Sequence, residues 1–316
     1  MLSLFLGAGF SKWAVNLPVA NELFDYNTKP FGPREKRKLE TVKVLKANWD
    51  STHPEGLTEQ FISDALKLPL PDRKSILWYI TRRLSDPFIW VEYHSQRWRR
   101  HVLMIDENRK SSIQGVVKAR NFLQGFSGFL LEGIITTNYD MLVEYALGTR
   151  GFNYGVPNQT LIGRGPYPLS CWNNPVRLTG KTKLAKIHGS ISWDNKNLYS
   201  DGRCGLTGNA LIVPPTQEKI LPPTLKFAWK LAESILKRST HLMVFGFSFN
   251  SYDEPTLVLL KSARGNLESI ILVDVEPKVA EARKVWPNAL ISVCMPPPEG
   301  QNQLHNWKKL LTKSSF

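Results

Sequence analysis

Leu2-Ser3-Leu4-Phe5-Leu6-Gly7-Ala8-Gly9-Phe10-Ser11 opens the chain. Its first five residues form a short, mostly apolar run that fits a buried strand. Gly7 and Gly9 then supply the backbone freedom for a tight turn or a close approach, and a helix is expected to begin there. Strand, glycine turn and helix together make the βα entry of a nucleotide-binding fold.

The same grammar recurs further along. Gly133 to Thr136 reads as a strand that ends in Thr136-Thr137-Asn138-Tyr139-Asp140, before a helical pattern from Met141 to Leu147. Leu184 to Ile187 reads as a strand ending at His188-Gly189. The last third alternates regularly, with strands expected at Ala210 to Val213, His241 to Phe245, Ser269 to Val273 and Leu290 to Val293. Helices are expected at Thr224 to Lys237, Asp253 to Arg264, Lys278 to Val285 and near Gln303 to Leu311. Apolar strands separated by helices imply a parallel sheet covered on both faces.

Between these regions the character changes. From about Gly32 to Gly128 the chain carries charged, tryptophan-bearing stretches with helical spacing, including Ser75 to Leu84 and Trp90 to Leu103, with Pro69, Pro71 and Pro87 as expected breaks. This segment reads as an inserted helical module. Gly148 to Lys183 is a loop-rich stretch dense in Gly, Pro and Asn, long enough to suggest a functional or irregular subdomain.

At 316 residues, 42% of them hydrophobic and 22% charged, the chain can build its own core and has no disordered or fibrous bias. Cys171, Cys204 and Cys294 are too widely spaced for a structural zinc site, so no metal is expected. The run before Gly7 is too short for a signal sequence, and no stretch reaches the ~18 apolar residues of a membrane span; a cytoplasmic protein without membrane contact is expected. The net charge of +14 favours polyanions as partners, nucleic acid among them. Arg34, Lys36, Arg37 and Lys38, then Arg97, Arg99 and Arg100 around Trp98, and finally Lys308 and Lys309 form basic clusters. Each fits a solvated helix face as well as a binding footprint.

In open parallel sheets ligands bind beyond the carboxyl ends of the strands, so the residues just after each strand are the candidates. Gly7, Ala8, Gly9 and Ser11 could let a phosphate approach the start of a helix, or could simply form a turn with a serine cap. Thr137, Asn138 and Asp140 bring an amide and a carboxylate to the sheet rim, where Asp140 could equally cap the next helix. His188 is either a base or a satisfied structural histidine. Gly246 and Ser248 form another turn, with Asp253 read as the cap of the following helix. Asp274 follows an apolar strand, a place where a carboxylate commonly holds a ribose hydroxyl.

Taken in order, these turns resemble the sirtuin (silent information regulator) catalytic domain, especially its bacterial NAD-hydrolysing branch. The resemblance rests on the glycine-alanine-glycine-x-serine opening, Thr136 to Asp140, Ile187 to Trp193 and Val244 to Asp253. It implies an α/β fold with a Rossmann-like parallel sheet, helices on both faces and an inserted helical module. The catalytic domain would comprise residues 1–31 and 130–316, and the module residues 32–129. It further implies that NAD is the substrate, with the pyrophosphate held by Gly7, Ala8, Gly9 and Ser11. Asn138 and Asp140 would meet the nicotinamide ribose and carboxamide, His188 would be the base, and Thr137 would join the cofactor-binding set. Gly246 and Ser248 would contact the adenosine side, and Asp274 its ribose.

The chain departs from the protein-deacylating members of that family. It lacks their four-cysteine zinc module and, after Leu17 and Pro18, continues Val19-Ala20-Asn21-Glu22 where they carry aspartate-phenylalanine-arginine. Hydrolysis of NAD is therefore expected rather than deacylation. Protein deacylation or ADP-ribosyl transfer, and a non-catalytic sensor of NAD or ADP-ribose, are the competing readings. The bacterial branch further implies an antiphage role through NAD depletion, restrained until a homo-oligomer forms or a separate activating protein binds. Of the tryptophans in the helical module, Trp49, Trp78, Trp90 and Trp98, most are expected in the core and some at such an interface.

Overall fold

A computed structural model describes residues 1–28, 30, 32–95, 107–126, 130–148, 151–155, 160–161, 176–177, 180–193, 210–216, 219–263 and 265–298. The strand β1 (Leu2–Leu6) lies at the centre of a sheet, between β2 (Leu131–Thr136) and β9 (His241–Phe245), and is parallel to both. Outward from β2 come β6 (Thr182–Lys186) and the two-residue β3 (Phe152–Asn153). Outward from β9 come β10 (Ser269–Val273) and β11 (Leu290–Cys294). All seven strands are parallel, in the order β11-β10-β9-β1-β2-β6-β3. Setting β3 aside, the six longer strands have the 3-2-1-4-5-6 order of a Rossmann-type sheet, whose direction of winding reverses between β1 and β9.

Alternate residues of the strands feed two separate cores, as period-two side-chain alternation requires. Leu2, Leu4 and Leu6 of β1 join Ile134, Leu184, Met243 and Val273 on one face. Phe5 joins Ile135, Ala185, Val244 and Leu272 on the other. The second face is covered by α7 (Lys226–Lys237), α8 (Glu254–Ser262) and α9 (Val279–Val285), whose Ala232, Ile235, Leu260 and Val285 are buried.

The first face is covered by α1 (Ala8–Val15), α6 (Leu142–Leu147) and the helical segment, which contains α2 (Pro33–Thr52), α3 (Thr58–Ala65), α4 (Leu70–Ser95) and α5 (Glu107–Gln124). Among the described residues, the buried side chains of these helices share one core with the sheet. Phe61, Trp78, Tyr79 and Phe122 belong to the same buried cluster as Leu4 and Phe10. Lys118 donates to the Trp13 carbonyl at 3.0 Å and Arg120 to the Ala146 carbonyl at 3.1 Å, which seats α5 on α1 and α6. The Tyr79 hydroxyl donates to the Leu23 carbonyl at 3.0 Å, tying α4 to the chain that follows α1.

Several expectations change. The stretch read as a strand at Ala210 to Val213 contains only β8 (Leu211–Ile212), which pairs antiparallel with β7 (Gly189–Ser190) and stands outside the main sheet. A two-residue hairpin arm has the same apolar composition as a central strand, so composition does not separate them. α4 continues across Pro87, where a break was expected, while Pro71 falls in its first turn, where a missing N–H costs little. Trp78 is fully buried, and Trp49 is half-buried with its indole N–H donating to Asp64 at 3.1 Å. Arg34, Lys36 and Arg37 are exposed on α2, and Lys38 sits over the Trp78 ring. Trp98, Arg97, Arg99, Arg100, Cys171, Cys204, Lys308, Lys309 and the helix expected near Gln303 to Leu311 lie outside the described residues. No helix among the described residues is long and apolar enough to cross a membrane.

Candidate active site

Strand register sets the site. Leu6 pairs with both Thr136 and Phe245, Thr136 pairs with Lys186, and Phe245 pairs with Val273. The residues next in sequence, Gly7, Thr137, Ile187, Gly246 and Asp274, therefore leave the sheet along one rim. A cleft of about 840 Å³ opens there, lined by Ala8, Gly9, Ser11, Thr137, Asn138, Asp140, His188, Gly246, Ser248 and Asp274. Ten of the eleven site residues read from the sequence thus share one cavity, at the switch point where such sheets bind ligands.

Gly7 is the exception. It does not line the cleft but is buried beneath it, with its N–H donating to the Phe245 carbonyl at 2.8 Å and its carbonyl accepting from Asn138 at 2.9 Å. The first and fourth turns pack backbone to backbone. A Cβ on Gly9 would stand 2.6 Å from the Gly246 Cα, and Gly246 itself has φ +64°, so both must be glycine. The Gly9 N–H donates to the Gly246 carbonyl at 2.9 Å, which occupies one of the groups expected to meet an anion. At the start of α1 the Ala8 N–H and the helix dipole remain for that purpose.

Three buried side chains interlock beside this turn. The Ser11 hydroxyl donates to Asp140 Oδ2 at 2.8 Å and accepts from Asn138 Nδ2 at 2.9 Å. Ser11 therefore lies within α1 and does not cap it; the cap position is Gly7. Asp140 Oδ1 accepts from the Leu142 N–H at 2.9 Å, so this carboxylate serves the following helix and the site together. Asn138 spends both N–H bonds, on the Gly7 carbonyl and Ser11, which fixes the amide with Oδ1 as its available acceptor. Behind them Lys186 and Glu144, both fully buried, pair at 2.9 Å, the Tyr154 hydroxyl donates to Glu144 at 2.9 Å, and Lys186 also bonds the Asp140 carbonyl.

His188 faces the cleft within a group of residues that sequence reading mostly missed. Its Nε2 lies 3.1 Å from Thr256 Oγ1 and 3.2 Å from Asp253 Oδ1, and Lys219 Nζ reaches the other carboxylate oxygen at 2.9 Å. The Tyr139 ring stacks on the imidazole with centroids 6.2 Å apart, and its hydroxyl bonds the Val213 carbonyl. Asp253 stands at the cap position of α8 but makes no capping bond, so its reading as a helix cap is overturned: its carboxylate is committed to His188 and Lys219.

The electrostatics follow from burial and pairing. Desolvation pulls the His188 pKa below its ordinary value, and Asp253 only partly offsets this, so the ring is neutral near pH 7. Burial opposes the charge on Asp253, but His188 and Lys219 more than compensate and hold its carboxyl well below the usual range. Burial likewise lowers the Lys219 pKa against the pull of Asp253. Among the described residues no three His, Cys, Asp or Glu side chains gather closely enough to hold a metal ion.

Sequence comparison bears on this rim directly. The family model described as the SIR2-like domain matches residues 132–294, which contain Asn138, Asp140, His188, Gly246 and Asp253. No curated protein matches the chain. Similar solved structures include one from a study of the mechanism and regulation of Sir2 enzymes, 13% identical with a TM-score of 0.42, covering 99% of this chain and 91% of that one. A mutant Sir2 homologue in complex with 2′-O-acetyl-ADP-ribose is 14% identical with a TM-score of 0.43, covering 99% and 92%. A Sir2 homologue in complex with NAD is 14% identical with a TM-score of 0.38, covering 99% and 89%. Likeness this distant says nothing about substrate or reaction.

Proposed function

Since the chain belongs to the SIR2-like domain family, we propose that it uses NAD, and specifically that it is an NAD glycohydrolase releasing nicotinamide and ADP-ribose. The observation that carries the reading is the single cleft shared by the glycine turns, the Ser11–Asn138–Asp140 network and His188. Its volume of about 840 Å³ falls within the roughly 300–1,000 Å³ of small-molecule sites.

In this reading the start of α1 takes the pyrophosphate, Gly246 and Ser248 meet the adenosine side and Asp274 its ribose. Asn138, Thr137 and Asp140 surround the nicotinamide ribose. Nicotinamide leaves a cationic glycosidic nitrogen as a neutral molecule, so its departure needs no general acid. The demand falls on the nucleophile. A neutral, buried His188 can accept a proton from water, and the fixed Asn138 Oδ1 can orient that water through a hydrogen bond.

Hydrolysis is favoured over deacylation because three cysteines cannot build the four-cysteine module of the deacylating members. The helical segment supplies Leu57, Glu59, Ile80 and Leu84 to the cleft wall, which gives a restraint on activity a place to act. This accords with a regulated effector of antiphage defence that depletes NAD once an oligomer or activating protein engages it.

The test is to incubate the purified protein with NAD and separate the products. Nicotinamide and ADP-ribose appearing without any protein substrate, and vanishing in His188→Ala, is the expected result. Release only with an acylated peptide would establish deacylation. Binding without release would establish the sensor, a reading favoured by the tight engagement of the His188 ring by Thr256 and Asp253.

A further inference from the structure

We infer that Asp253, anchored by Lys219, is a positioning residue for His188: it fixes the imidazole, and its buried negative charge supports the proton that the ring gains during the reaction. This deepens the proposed function and rests on the cleft being the site of NAD cleavage.

The geometry leaves an oxygen waiting. Asp253 is 5% exposed and His188 2%, so neither is solvated as an ordinary surface group would be. Asp253 Oδ2 is satisfied by Lys219 at 2.9 Å. Oδ1 is buried without a hydrogen-bond donor, although His188 Nε2 stands only 3.2 Å away. Nε2 is aimed at Thr256 Oγ1 and the ring also bonds the Thr137 backbone, so the carboxylate acts on the imidazole through charge at close range. A buried carboxylate oxygen without a donor is costly, and a positive charge on the ring 3.2 Å away offsets part of that cost. Asp253 thus offsets part of what burial costs the imidazolium that a general base becomes.

The bookkeeping of the step is complete without a further reactant. A water lone pair forms the bond to the ribose C1′ as the C–N bond breaks and its electron pair leaves with nicotinamide. The water proton passes to Nε2, and the resulting imidazolium lies beside the Asp253 carboxylate. It is later lost to solvent, so NAD and water yield nicotinamide, ADP-ribose and one proton.

Lys219 has a second consequence. It holds Asp253 ionised, yet its own positive charge opposes a proton on His188. The charged groups acting on the ring are Asp253 on one side and Lys219 behind it, with Glu59 of the helical segment close enough to act on Lys219 and on Tyr139. Removing either neighbour should therefore move the titration of His188 in opposite directions, which a purely structural ion pair with no link to the ring would not do.

The experiment follows the His188 imidazole by NMR across pH in the parent, Asp253→Asn and Lys219→Met proteins, with His188→Gln to assign the signal. Rates with NAD are measured on the same samples. The expected midpoint falls in Asp253→Asn and rises in Lys219→Met. In Asp253→Asn kcat drops about 10²-fold, within the ~10²–10⁴ that a general base contributes, while KM for NAD stays near the parental value. Parental midpoints in both variants, or a parental kcat in Asp253→Asn, overturn the inference. If Asp253→Asn does not fold, Lys219→Met decides alone, and an unmoved midpoint there is a refutation. A parent that releases no nicotinamide but whose His188 midpoints shift as expected sinks the glycohydrolase reading and leaves the pairing standing; turnover with unmoved midpoints does the reverse.

Discussion

Replacing Ser11 by alanine removes one hydroxyl from the most connected point of the cleft. In the folded protein that oxygen donates to Asp140 Oδ2 at 2.8 Å and accepts from Asn138 Nδ2 at 2.9 Å, and all three residues are less than a tenth exposed. The substitution leaves a buried amide N–H and a buried carboxylate oxygen each short of one partner. An orphaned buried group costs about 1–3 kcal/mol, with bonds to charged groups toward the upper end. The sum is about 2–6 kcal/mol, well above the ~1 kcal/mol typical of a lost helix cap. Equilibrium urea unfolding measures it directly. A double-mutant cycle with Asp140→Asn isolates the pair, and a coupling of roughly 1–3 kcal/mol is expected for two side chains in direct contact. Nicotinamide release should fall at the same time, because Asn138 loses one of the two bonds that orient its amide. A loss below about 0.5 kcal/mol with zero coupling, the usual range for an uninvolved surface position, would refute the network.

Other perturbations test other parts. Gly246→Ala must place a Cβ at φ +64° against the α1 turn, and about 2–4 kcal/mol of destabilisation with weakened NAD affinity is expected from the left-handed backbone and overpacking together; calorimetric titration and melting curves check it. Lys186→Met strands the fully buried Glu144 and should cost about 3–5 kcal/mol, part of which returns when Glu144→Gln is added; denaturant midpoints of the single and double variants decide. Burial depresses the pKa of His188 in the folded state, so between its ordinary value near 6.5 and the lower folded value the unfolded chain binds more protons. This contribution to stability is therefore present above pH 6.5 and lost on acidification, by up to about 1.4 kcal/mol per pH unit. His188→Gln should flatten that slope, leaving a smaller one from His241, whose pKa burial also lowers; an unchanged slope would contradict the burial of a neutral ring.

Much of the scaffold could be read from residue pattern because its determinants are local. His241–Phe245 and Ser269–Val273 are continuous apolar runs ended by glycine or aspartate, and the structure begins and ends them at the same residues. The rim residues followed from the strands, since a residue after a parallel strand has nowhere to go but the carboxyl edge. What failed was long-range or ambiguous in chemistry. Asp253 carries the signature of a helix cap, an acidic residue just before a helix, and only its nearness to a histidine 65 positions earlier reveals its other use. Lys219 lies outside helix and strand and follows no pattern that would single it out. The Gly9 N–H looked free for an anion because nothing in the first turn announces that Gly246, far along the chain, will occupy it. β8 failed for a simpler reason: a two-residue arm and a core strand share one vocabulary.

The most direct test of the account is a crystal structure of the His188→Ala protein, grown with NAD so that turnover does not consume it. The account requires the pyrophosphate at the start of α1 beside Ala8, the adenosine end toward Ser248 and Asp274, and the nicotinamide ribose within hydrogen-bonding distance of the Asn138 carbonyl oxygen. NAD bound away from this rim, or bound there with its nicotinamide end turned from Asn138 and residue 188, would contradict it.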